Sequence, residues 1–277
     1  MHVIGFINIG SICWFNSMLQ LIISSKYIIK SILDDEEEQN NLLKEFQIFL
    51  RNYTSNNLSQ NDSVKLLRVF LLEVKEKHSS SELLSLAQQS ASEGMTFFLD
   101  MLNSKHLNNI LTHVTEESIV CKQTKEVISS KKNTNNQFML FDTKDLIRRG
   151  LPDALLCSQD NLEEDFIPED HIKDIDKRYK RLYILKYIPE VIIISLNKYI
   201  QKNNVVLPDS FKIPHINGSD MVYIKKAEID HLGSLGGGHY ISRALRENKV
   251  FLFNDSNYSE SELKTNRNTY ITIYELK

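Results

Sequence analysis

Three features of the sequence predict an α+β protein. Helical periodicity is confined to about the first 110 residues, short β-rich segments parted by polar turns follow, and the two textures do not alternate as a doubly wound sheet requires. With 277 residues, 42% of them apolar, the chain is long enough to bury a sizeable core.

The elements are justified in order. "CWFNSMLQLIISSKYIIKSI" has apolar residues at helical spacing without Gly or Pro and reads as one helix from an N-cap at Ser11. The acidic run "DDEEEQ" at 34–39 reads as a solvated helix start, and "QNNLLKEFQIFLRNY" sets Leu42, Leu43, Phe46, Phe49 and Leu50 on one face. "DSVKLLRVFLLEVKEK" opens on Asp62 or Ser63 as N-cap and closes on lysines, and "SEGMTFFLDMLNSKHL" is a further helix. Beyond residue 110, "HVTEESIVCKQT", "KEVISSKKN" and "QFMLFDT" are strand-like, and "KDLIRRGLPDALLC" is briefly helical. "RLYILKYIPEVIIISLNKYI" is strand broken at Pro189, its Ile-rich part suited to a central strand. "MVYIKKAEIDHL", "GHYISRAL", "KVFLFND" and "NTYITIYEL" complete the strands. The chain holds no internal repeat.

A net charge of −3 disfavours nucleic-acid binding. Three cysteines, Cys13, Cys121 and Cys157, are too few for a disulfide scaffold and point to a reducing interior. The apolar start lacks a basic n-region, and Asn8 and Asn16 interrupt it; no apolar run approaches the ~20 residues of a membrane span. The expectation is a cytoplasmic or nuclear monomer, without membrane, cofactor or metal.

Among eight histidines, His239 stands apart because Gly236, Gly237 and Gly238 precede it, which admits a close-lying ligand chain. If "HYISRAL" and "KVFLFND" pair around a turn centred between Arg246 and Glu247, His239 lies directly opposite Asn254. Asp255 then points to the other face unless a bulge intervenes. A plain glycine turn is the competing reading; a phosphate loop fails on spacing.

Cys13 falls in the first turn of its helix, where free N–H groups and the dipole favour a thiolate. A low-pKa Cys, a His and a group orienting that His make up the layout of nucleophilic cysteine catalysis. Asn8 can offer an amide N–H to an oxyanion beside the Cys13 backbone N–H. A buried, inert thiol is the alternative.

Together, "GFINIGSICWFNSMLQ" and "IDHLGSLGGGHYISRAL…VFLFNDS" resemble the Cys and His boxes of the ubiquitin-specific proteases. "SEGMTFFLDML" and "PEVIIISLNKY" are similar to two further family segments, so the resemblance spans nearly the whole chain. It implies a papain-like cysteine proteinase fold in one catalytic domain, 1–277, with a helical thumb (1–111) and a β palm with short β fingers (112–277). It implies deubiquitination through an acyl-enzyme, with Cys13 the nucleophile, His239 the base and then acid, Asn254 its orienting partner, Asp255 an auxiliary, and Asn8 in the oxyanion hole. The partner implied is ubiquitin or polyubiquitin conjugates, its Gly-Gly tail bound by Glu93, His231, Gly238 and Tyr240. The finger CxxC pairs of many members are absent here, so no zinc is expected. Thr96 stands where the family often has Glu, "SIC" replaces "NTC", and no Trp precedes "FND". Two other readings are a protease for a ubiquitin-like modifier and a catalytically silent ubiquitin-binding module.

Overall fold

The computed structural model describes residues 3–36, 40–85, 88–135, 139–142, 146–147, 150–156, 179–187, 189–197, 205–214, 220–234 and 237–277. Cys157 and Gly236 lie outside the described residues, as do 37–39 of the acidic run.

Helix α1 (Cys13–Ile22) is mostly apolar, and all ten of its residues are buried, Asn16, Ser17 and Gln20 included. It lies against the strands on one side and the other helices on the other. The single helix expected from 13 to 32 is two, α1 and α2 (Lys26–Leu33). A serine pair breaks it: Ser24 Oγ donates to Leu21 O, and Ser25 caps α2 by accepting from Ile28 N. Ser11 is not the cap of α1; that position is Ile12, which has no side-chain cap. Asn8 Oδ1 takes over part of that work, accepting from the N–H groups of Gly10 and Ile12.

Helix α3 (Asn41–Thr54) buries the five predicted apolar residues. Asn40, not the acidic run, starts it; Asp34 instead ends α2. Helix α4 (Asp62–Lys77) begins one residue earlier than expected: Asn61 is its N-cap, and Asp62 sits inside the first turn, accepting from Ser59 N and pairing with Lys65. The next helix is also two, α5 (Ala91–Leu102) and α6 (Lys105–Leu111), divided by Asn103 in a left-handed conformation.

Strands β1 (His113–Cys121), β2 (Val127–Asn135) and β4 (Tyr179–Tyr187) form a three-stranded antiparallel sheet in the order β2-β1-β4. The larger sheet runs β10-β9-β8-β7-β11-β5-β3, with β6 paired to β7. Its strands are β3 (Met139–Asp142), β5 (Val191–Asn197), β6 (Ser210–Pro214), β7 (Asp220–Ser234), β8 (Gly237–Arg246), β9 (Lys249–Asn254), β10 (Asn257–Glu260) and β11 (Thr269–Leu276). Strands β6 and β10, five and four residues long, are too short to be singled out from sequence.

Both faces of this sheet are covered, which is why β5 is a continuous apolar run. Ile193 joins Ile229, Phe253 and Ile271 in the core against the helices. Ile192 and Ile194 face a second core with Tyr223, Tyr274 and helix α7 (Leu151–Leu156). Among the described residues no helix is long and apolar enough to cross a membrane.

A buried charge network ties β7 to its neighbours. Lys225 Nζ contacts Glu228 Oε1 at 3.1 Å and donates to Leu207 O and Thr265 Oγ1. Arg243 pairs with Asp230, which also accepts from Asn266 and Thr269. Lys225 and Glu228 are almost wholly shielded from solvent, so removing one partner strands the other. Lys225→Met should cost about 3 kcal/mol of unfolding free energy, read from urea denaturation; a change within error would show that Arg243 alone compensates Glu228.

Candidate active site

The segment before α1 has no regular structure, yet it is held along its length. Phe6 N donates to Asp255 O, Ile7 N to Gln60 O, and Gln20 Nε2 to Ile4 O. Gly5 passes so close to the β9–β10 turn that a Cβ there would lie 2.5 Å from Asp255 O. This anchoring fixes the start of α1 against the sheet and leaves Cys13 only 4% exposed.

His239 and Asn254 meet: His239 Nε2 lies 2.7 Å from Asn254 Oδ1. The predicted register that brought them together is corrected, however. Arg246 pairs with Lys249 and Ser242 with Phe253, so the turn centres between Glu247 and Asn248. Continuing that register sets Asn254 opposite Ile241, two residues from His239 on the same strand. A shift of two keeps the face, and a diagonal pair is still within reach of long side chains. An amide oxygen only accepts, so the Nε2 proton is directed to Asn254 and the lone pair of the neutral ring stays on Nδ1.

Asp255 is not turned away from His239 as strand alternation requires. It leaves the strand in a left-handed conformation (φ 52°), without a bulge, and its Oδ2 comes to 3.9 Å from His239 Nε2. Two amides from the helical half hold the carboxylate: Asn8 Nδ2 donates to Oδ2 and Asn16 Nδ2 to Oδ1, each at 2.9 Å. Asn8 is thereby oriented at both ends of its amide, with one of its two Nδ2 hydrogens on Asp255.

His239 is tied to Cys13 through both chain neighbours. The Tyr240 backbone hydrogen-bonds the thiol. On the other side, Gly238 N donates to Gln88 Oε1 at 2.7 Å, and Gln88 Nε2 lies 3.8 Å from Cys13 Sγ. A Cβ at Gly238 would meet Leu232 O at 2.3 Å and the His231 ring at 2.6 Å, so only glycine fits. His231 stacks on Tyr240 with ring centroids 4.6 Å apart. Glu93 is exposed in the first turn of α5. It lines a cavity of about 360 Å³ with His78, Glu82 and Phe97.

Two residues of this site escaped sequence reasoning. Asn16 was visible only as a motif position, and nothing in "AQQS" marked Gln88. Among the described residues no group of three or more His, Cys, Asp or Glu is placed to hold a metal ion.

Electrostatics reverses one expectation. Burial pushes the Cys13 thiol above its ordinary value, and the Asp255 charge adds to the rise; backbone hydrogen bonds, that of Tyr240 first, oppose it without winning. One helix end does not offset the loss of water around a buried thiolate. Burial therefore favours the neutral thiol at rest over a standing thiolate.

The sequence profile of a family described as ubiquitin carboxyl-terminal hydrolase matches residues 4–274. Among solved structures, the chain is similar to a SAGA DUB module of Ubp8, Sgf11, Sus1 and Sgf73 bound to monoubiquitin. The identity is 18% and the TM-score 0.76, over 99% of this chain and 69% of that one. The same module bound to ubiquitin aldehyde gives 18% and 0.75, over 99% and 70%. A yeast SAGA module gives 17% and 0.74, over 99% and 68%. No curated protein sequence matches. At these identities the likeness shows the fold, an α+β papain-like arrangement.

The upward shift of the Cys13 pKa is measurable. The rate of Cys13 alkylation by iodoacetamide should titrate with a midpoint above that of an ordinary cysteine. Asp255→Asn should move it down, because it removes a negative charge that disfavours the thiolate. An unchanged or higher midpoint in the variant would contradict this assignment.

Proposed function

The chain belongs to the ubiquitin carboxyl-terminal hydrolase family, and from that premise and the site's geometry we propose that it is a thiol-dependent deubiquitinase. It hydrolyses the peptide or isopeptide bond after ubiquitin's C-terminal Gly-Gly. The observation that carries this reading is the His239–Asn254 hydrogen bond, with the neighbouring Asp255 carboxylate held by Asn8 and Asn16 of the Cys13 segment.

In this reading the helices through Leu111 form the thumb, the larger sheet the palm and the three-stranded sheet the fingers of one catalytic domain. Since burial keeps the thiol neutral at rest, His239 Nδ1 takes its proton as the sulfur attacks the carbonyl carbon of the terminal glycine. The C=O bond becomes an oxyanion, which the Cys13 backbone N–H and the second Nδ2 hydrogen of Asn8 stabilise. As the tetrahedral centre collapses, the C–N bond breaks and the imidazolium donates its proton to the leaving amine. A thioester on Cys13 remains. Water, deprotonated by His239, attacks the thioester, and Cys13 leaves with that proton. Asn254 keeps the ring's tautomer and direction throughout, and the Asp255 carboxylate steadies the imidazolium.

The tail occupies the cleft between thumb and palm. Gly238 offers it a backbone N–H, Tyr240 and His231 form one wall, and the exposed Glu93 meets a tail arginine. Neither Cys13 nor Cys121 is bound in a disulfide, and a thiol nucleophile works in a reducing compartment such as cytoplasm or nucleus.

Ubiquitin propargylamide should form a covalent adduct with the wild type and none with Cys13→Ala. With ubiquitin aminomethylcoumarin, His239→Ala should lower kcat on the order of 10²–10⁴-fold, the usual weight of a general base. Absence of an adduct with folded wild-type protein, alongside reaction with a probe built on a ubiquitin-like modifier, would transfer the activity to that modifier.

A further inference from the structure

Resting on the deubiquitinase reading, we infer that Gln88 occupies the place of the substrate's terminal peptide unit in the free chain and is displaced when the tail binds. The side chain spans the two walls of the cleft beside the nucleophile. Its Oε1 accepts from Gly238 N at 2.7 Å on the palm, and its Nε2 lies 3.8 Å from Cys13 Sγ on the thumb. A primary amide has the same acceptor and donor as a peptide group. Here the acceptor is on the strand and the donor faces the sulfur.

The palm end is fixed. Gly238 pairs with Gly233 in β7, and its backbone is packed so tightly on His231 and Leu232 that a Cβ has no room. Its N–H, however, donates to Gln88 across the cleft. An extended peptide binding along this strand uses such N–H groups for its carbonyls. Gln88 and the substrate therefore compete for one donor. Gln88 is only half-buried and belongs to the thumb, just before the Ser90 cap of α5, so it can turn outward without disturbing the core.

Gln88 thus has two effects in the resting chain. It shields the sulfur from small electrophiles, and it satisfies the Gly238 N–H that would otherwise face the cleft unbonded. Binding the tail exchanges one hydrogen bond for another, so Gln88 raises KM and leaves the chemical step alone.

The test uses wild type, Gln88→Ala and Gln88→Asn, whose shorter amide cannot span the cleft. The first readout is the high-pH plateau of the Cys13 alkylation rate with iodoacetamide, where the sulfur is fully ionised and only access matters. Both variants should raise it roughly five-fold, the factor that one net hydrogen bond commands. The second readout is turnover of ubiquitin aminomethylcoumarin, where KM should fall by a similar factor with kcat held. An unchanged plateau, or a fall in kcat at constant KM, overturns the proposal and makes Gln88 a positioning residue. A raised plateau in a chain that turns over no ubiquitin probe supports the occlusion and sinks the deubiquitinase reading instead.

Discussion

Asp255 sits in the two-residue turn between β9 and β10, its backbone left-handed, and both of its carboxylate oxygens are taken by amides from the opposite end of the chain. Its own carbonyl accepts from Phe6 N, and Gly5 presses against the same turn. Four parts of the active site meet at this one residue: the segment before α1, α1 itself, the end of β9 and, at 3.9 Å, the imidazole. A carboxylate with two charge-assisted amide bonds is a stiff joint. It fixes where α1 begins relative to His239, and so where the sulfur lies relative to the ring.

A second joint lies deeper. Arg246, at the end of β8, is buried and donates to both the backbone and the side-chain oxygen of Gln20 near the end of α1. Its guanidinium also lies over the rings of Tyr53 and Phe253. Helix α1 is therefore pinned to the sheet near both ends, by Asn16 and Gln20. Both residues belong to the stretch that carries Cys13, which accounts for amides where a buried helix would otherwise be wholly apolar.

Burial of Cys13, the proposed nucleophile, shapes its electrostatics. A thiol removed from water stays protonated, and the nearby Asp255 charge strengthens that preference. The same carboxylate that organises the site thus disfavours the free thiolate. In the proposed mechanism, reactivity depends on the imidazole receiving the proton during attack rather than on a standing thiolate. A buried, neutral sulfur with a directed base is also slow to oxidise.

The helices were legible because their apolar spacing is local, and so were most strands. The two helices read as single were not, because serine and asparagine side chains ended them through hydrogen bonds that periodicity does not register. The pairing of His239 with Asn254 survived a misjudged turn because a two-residue slip preserves the face of a strand. Asp255 did not follow that rule, since one left-handed residue redirects a side chain that alternation assigns to the other face. The sequence by itself determined the fold class, the presence of a Cys and a His in distant glycine-bordered segments, and the family they resemble. Only the tertiary structure decided that Asn16 and Asn8 clasp Asp255, that Gln88 bridges the cleft, and that burial disfavours the thiolate of Cys13. Each of these depends on long-range approach and on loss of solvent, and neither quantity is written in local spacing.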